Sequence, residues 1–211
     1  MIILPRDQIN LYFKSINFFD YENHCIKNNG VAIGLILKDI KKDNSQYYYP
    51  FKSKEYKIIE AKYKELFQVL ICRFLVRDMR IAVAYPDAWF PDRFVNGYFS
   101  KLRMKKKIKE INKFSYDENF LGAVRFQGMD DEAYIFLDEI IEKEIRVSHG
   151  FHIFLDNSLV LQAGNDFFVI IFGSSDLCRE IRSINFVNSN FNTHDFTDVY
   201  KNKPKSTPPA P

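Results

Sequence analysis

Ser174 and Ser175 stand in the stretch FFVIIFGSSDLCREI (167–181), where an apolar run turns through Gly-Ser-Ser-Asp into a helical pattern. A serine on a sharp strand-to-helix turn is the geometry of a hydrolase nucleophile. That chemistry asks for G-x-S-x-G, since glycines on both sides permit the strained turn, and for a histidine base oriented by a carboxylate. Two residues after Ser174 comes Asp176, and two after Ser175 comes Leu177, so neither serine has the trailing glycine. A phosphate seat needs more glycine than this, and neither G-x-G-x-x-G nor G-x-x-x-x-G-K-[ST] occurs in the chain. Asp176 in the first helical turn would also repel an anion. The stretch reads instead as a connection in which Gly173 ends a strand, Ser174 or Ser175 caps a helix and Asp176 complements the helix dipole.

The histidines offer little more. His149 and His152 are three apart in SHGFHIFLD, which in a regular strand puts them on opposite faces, so only a bulge at Gly150 would let them chelate one metal as a pair. His152 and Asp156 share a face, but four strand residues span about 13 Å. An enzyme on this chain would have to assemble a site from distant residues such as His149, His152 and Ser174. Cys25, Cys72 and Cys178 are an odd, widely spaced set, without a C-x-x-C pair or a disulfide framework. That usage fits a reducing, cytoplasmic compartment. No catalytic, cofactor or metal signature is expected.

Charge patterning carries more information. Net charge is only +3, short of a dedicated nucleic-acid binder. The average hides two blocks. KLRMKKKIKEINK (101–113) has seven basic residues and one acid, a local +6. Residues 130–144 hold seven acids and one lysine, a local −6. In the basic block, Lys101, Arg103, Lys105, Lys106, Lys107 and Lys109 could track phosphates, with Phe94, Tyr98 and Phe99 stacking bases. Those aromatics recur at helical spacing with Leu102, which equally fits core packing. In the acidic block, Asp131, Glu132, Asp138, Glu139 and Glu142 should face solvent on an amphipathic helix. They would steer a basic partner by complementary charge. Trp89 and Phe90, in the turn-rich YPDAWFPDRF, are the aromatic candidates for a binding hot spot. The two blocks could also pair with each other, within one chain or between copies in a dimer.

The elements that must position these residues are mixed. GVAIGLILKDI (30–40) reads as a buried strand. Ser53 is the expected cap of the clearest helix, in which Ile59, Tyr63, Leu66, Phe67, Leu70, Ile71 and Phe74 recur at spacings of three and four. MRIAVAY (79–85) and NFLGAVRFQG (119–128) are strand patterns, and a helix is expected over 92–112. Asp130 or Asp131 should cap a further helix whose core side is Ala133, Tyr134, Leu137, Ile140, Ile141 and Ile145. VSHGFHIFLD, SLVLQAG and DFFVIIFG read as three strands joined by Asp-Asn and Gly-Asn turns. SDLCREIRSI then closes the domain as a helix through Leu177, Ile181 and Ile184.

There is no internal repeat and no strict βαβ alternation. The expected class is α+β: a largely antiparallel sheet with a C-terminal strand meander and four to five helices. A single domain is expected over 1–200, followed by a disordered Pro-rich tail over 201–211, KNKPKSTPPAP. The longest apolar runs fall far short of the roughly 20 residues of a membrane helix, and no membrane partner is expected. One α+β domain with charge blocks and no catalytic signature is the general type of a small bacterial cytosolic binder. Immunity and antitoxin-like proteins, which occlude a partner toxin, are examples of the type. The leading expectation is therefore a non-enzymatic domain that binds a protein, with a basic toxin as the candidate partner. The alternatives are a nucleic-acid-associated protein using Lys101–Lys113, or an enzyme with a dispersed site.

Overall fold

The computed structural model describes residues 2–4, 11–40 (except 13, 21–24 and 39), 53–83, 123–138 (except 132 and 136), 151–164 (except 157) and 168–201. Its centre is one eight-stranded sheet. The strands are β1 (Ile2–Leu4), β4 (Gly30–Leu37), β5 (Asp78–Val83), β6 (Ala123–Gln127), β7 (Phe151–Leu155), β8 (Leu159–Gly164), β9 (Phe168–Ser174) and β10 (Phe191–Asp195). A separate two-stranded ribbon joins β2 (Phe19–Asp20) to β3 (Cys25–Ile26). The spatial order is β1-β6-β5-β7-β8-β9-β4-β10, and every neighbouring pair is antiparallel. The expected α+β class with an antiparallel sheet and a β7-β8-β9 meander is what the chain forms.

Residue alternation divides the sheet into two covered faces. On the first, Ile33, Leu35, Met79, Ile81, Ile153, Leu161 and Ile171 meet the helix α1 (Lys54–Phe74). That helix contains neither glycine nor proline. Ser53 caps it, its Oγ accepting from the Tyr56 amide at 3.1 Å, and Glu55 and Arg73 complement the dipole at opposite ends. All seven apolar residues assigned to its inner face are buried, and Tyr56 joins them. Each contributes about 1.5–3 kcal/mol of apolar burial. The helices α2 (Ser175–Ser183) and α3 (Asn185–Asn190) pack against the same face through Cys178, Ile181 and Val187.

On the second face, Ala32, Phe154, Val160, Ile170 and Phe172 are covered by Ile16, Phe19 and Ile26 from the N-terminal side. Phe196 and Tyr200, from the C-terminal helix α4 (Thr197–Lys201) and the residue before it, complete the cover. Phe19 stacks on Phe172 at 4.4 Å between ring centroids, and Tyr200 meets Phe172 edge-on at 4.9 Å. Burial on both faces explains why β4 reads as an unbroken apolar run.

Three expectations need correction. The chain does not close on the α2 helix: α3, β10 and α4 follow, and β10 forms an edge of the sheet. Its sequence FNTHD has one apolar residue, Phe191, so nothing in it alternates. In α2 the buried pair is Cys178 and Ile181, while Leu177 and Ile184 are half-buried. Tyr134 is 42% exposed, because Ala133 and Leu137, four apart, define the buried line and Tyr134 lies on its flank. The expected helix over 92–112, Ile140, Ile141, Ile145 and the tail beyond 201 lie outside the described residues.

Candidate functional site

The described positions within 131–138 are all helical. Asp130 caps this helix, its Oδ1 accepting from the Ala133 amide at 2.8 Å. Ala133 and Leu137 face the core. Asp131, Tyr134 and Asp138 sit at i, i+3 and i+7, one stripe of the outer face, and all three are exposed, with Ile135 beside them. The stripe is acid, aromatic, acid.

Asp138 also anchors the helix to α1, its Oδ1 meeting Lys64 Nζ at 2.8 Å. The same ammonium meets Glu60 at 3.1 Å. Burial works against the charge on Lys64, but the hydrogen bonds to Asp138 and Glu60 outweigh it and hold its pKa above the ordinary lysine range. Asp138 remains 54% exposed, so the pair leaves much of its carboxylate open to a second cation. Between the two helices lies a hollow of about 20 Å³, lined in part by Lys64, Gln68, Met129, Tyr134 and Asp138. It is large enough for a water or the tip of one side chain. An arginine from a partner could stack on the Tyr134 ring with a carboxylate to either side.

Of the residues singled out from sequence, the structure brings Asp131 and Asp138 onto one helix face. Glu132, Glu139, Glu142, Trp89, Phe90 and the basic residues Lys101, Arg103, Lys105, Lys106, Lys107 and Lys109 lie outside the described residues, as does His149. Ser174 and His152 do not meet. Ser174 caps α2, its Oγ accepting from the Leu177 amide at 3.3 Å. His152 is fully buried on the second face, opposite Gln162 and against the Phe19 and Phe154 rings. Through the β7-β8-β9 register the two are two strands and four residues apart, roughly 16 Å. Among the described residues, no group of three or more His, Cys, Asp or Glu side chains could hold a metal ion. Cys178, 1% exposed, has its thiol pushed up to about 11 by burial, which makes it a poor nucleophile.

One polar cluster has no counterpart in the sequence reading. Arg125 binds Asp78 through two parallel hydrogen bonds of 2.8 Å, and Arg80 reaches the same carboxylate at 3.3 Å. The Arg80 guanidinium lies 3.6 Å over the Tyr12 ring, and the Tyr12 hydroxyl donates to the Asp156 carbonyl. The Asp156 carboxylate accepts the successive amides of Val76, Arg77 and Asp78 at 2.8, 3.1 and 3.0 Å. Asp156 holds φ at +49°, a left-handed turn that aspartate tolerates better than most residues. The alternation D-M-R-I in β5 signals one polar side, but the Tyr12 contact spans 68 positions and leaves no local trace. The cluster is internally paired and reads as a clasp between the strand ends and the N-terminal segment.

Comparison with known proteins adds no relative: the chain matches no family model, no curated protein and no solved structure. Among the described residues, no helix is long and apolar enough to cross a membrane.

Proposed function

We propose that the protein is a non-enzymatic protein-binding domain that acts by occluding a basic partner, in the manner of bacterial immunity or antitoxin-like inhibitors. The observation that carries this reading is the Asp131–Tyr134–Asp138 stripe, with Ile135 beside it. Exposed carboxylates steer a basic surface, and an exposed aromatic beside a small hollow supplies a desolvated anchor. The acids Glu132, Glu139 and Glu142 belong to the same charged segment and add to its field.

The test starts from affinity capture of the tagged protein at moderate salt, with and without nuclease, followed by binding kinetics on the partner recovered. Asp131→Lys should slow association about tenfold at low salt, with the difference closing as salt rises. Tyr134→Ala should instead speed dissociation, by about tenfold or more, the loss of roughly 1.4 kcal/mol or more of contact. Kinetics unchanged in both variants would remove the acidic-face reading. Recovery of nucleic acid, with partners lost on nuclease treatment, would transfer the function to Lys101–Lys113.

A further inference from the structure

β10 is the last strand of the sheet, and its hydrogen-bond phase can be fixed. The Lys38 amide donates to the Asn190 carbonyl at 2.9 Å, and the Phe196 amide donates to the Ala32 carbonyl at 2.9 Å. Both pairs obey the β10-β4 register, in which Asn192 faces Ile36 and His194 faces Gly34. Hydrogen-bonded pairs alternate along an antiparallel ladder, so Asn192 and His194 turn their backbone groups inward to β4. Phe191, Thr193 and Asp195 turn theirs outward. The Phe191 amide already bonds the Val187 carbonyl at the end of α3. The outer edge therefore presents the amides of Thr193 and Asp195 and the carbonyls of Phe191, Thr193 and Asp195. Among the described residues no strand pairs with that edge. Asn192, Thr193, His194 and Asp195 are all exposed.

We propose that two copies of the chain pair through β10, antiparallel about a two-fold axis at Thr193, to make one continuous sixteen-stranded sheet. A second copy is the occupant that matches this edge. Overlapping all five residues places Thr193 opposite Thr193 of the other copy, and Asp195 opposite Phe191. In that register the outward donors meet outward acceptors in four hydrogen bonds: Thr193 to Thr193 in both directions, and Asp195 to Phe191 twice. Asn192 falls opposite His194 on the second face, twice, two side chains that can hydrogen-bond each other. Thr193 pairs with itself on the first face, a favourable cross-strand pair. The two Asp195 carboxylates end roughly 14 Å apart, beyond the screening length at physiological salt. Sliding the copies by one pair sets His194 against His194 and shortens the overlap. A five-residue contact is small, so the dimer is expected to be weak and concentration-dependent.

The test is sedimentation of the full chain from micromolar to submillimolar concentration. The weight-average mass should rise toward twice the 25.0 kDa of the chain. Thr193→Pro removes an outward amide, a change an edge strand tolerates, and should raise the dissociation constant about tenfold or more. Should that variant fail to fold, cross-linking decides, in a Cys72→Ser background that removes the exposed native thiol. Thr193→Cys should form a disulfide-linked dimer under mild oxidation. His194→Cys should not, because its two copies lie about 8 Å apart in this register, too far for a disulfide. A chain monomeric throughout the range, a dimer indifferent to Thr193→Pro, or linkage of His194→Cys as fast as Thr193→Cys would overturn the proposal.

Discussion

One face of the sheet lies under a 21-residue helix, with α2 and α3 packed beside it, and the other lies under short pieces alone. On the first, α1 buries eight side chains along a single line, so each strand it crosses is held by the same element. On the second, the cover comes from residues 11–20, the β2-β3 ribbon and the five-residue α4. There the attachment rests on individual contacts. The Phe196 amide and the Thr197 hydroxyl continue the β4 ladder at Ala32, and the Phe196 ring lies over Gly34. A face centred on one long element should open only with the whole molecule. A face held by short elements can open piece by piece.

The sharpest way to break that contrast is at the centre of the first face. Phe67→Ala leaves a cavity under the sheet, where Phe67 is 1% exposed, and should cost about 3–5 kcal/mol. Denaturant unfolding should stay a single transition with a lowered midpoint. A second transition appearing with this substitution would mean that the α1 layer is not the cooperative centre.

Asp156 should give the next largest effect, because it ties the two coverings together. Its carboxylate holds the amides that follow α1, and its carbonyl receives Tyr12 from the other side. Asp156→Ala removes the acceptor of three amides and places alanine in a left-handed turn, a loss of roughly 2–3 kcal/mol by denaturation. Asp156→Asn, which tolerates the turn and keeps one carbonyl oxygen, should recover part of that loss. Equal loss in both variants would put the effect on the charge rather than on the turn and its acceptor.

The smallest effect tests the second face directly. A Cβ at Gly34 would stand 2.2 Å from the Phe196 ring, so Gly34→Ala must push that ring away. Phe196 is a half-buried side chain near the surface, which limits the cost to about 1–2 kcal/mol, the lower part of the overpacking range. Hydrogen exchange should quicken over residues 191–201 and leave α1 unchanged. Faster exchange throughout the sheet would show that both faces open as one unit.

The same contrast explains what the sequence could disclose. α1 was legible because its apolar positions recur with the helical period and Ser53 stands at its start. The Asp130 and Ser174 caps were legible because capping is local chemistry, as was the Asp-Asn turn that Asp156 begins. β10 and α4 were not, because they are short and carry one or no buried side chain, so no period forms. The exposure of Tyr134 is not legible from its apolar ring, because only the axis through Ala133 and Leu137 decides which side of this helix is buried. Of the acidic stripe, the two carboxylates were foreseen from charge. Its aromatic member was not.

The β4-β9 pairing sets a condition on how the molecule is made. Ile36 lies opposite Phe168 and Gly30 opposite Ser174, so these paired interior strands are more than 130 positions apart in the chain. At typical ribosomal speeds, β4 leaves the ribosome roughly 7–30 s before its partner strand exists. For that interval an eight-residue strand, apolar throughout, has no neighbour on either edge. Long-range closure of this kind is slow, and the waiting strand is the natural target of a chaperone during synthesis.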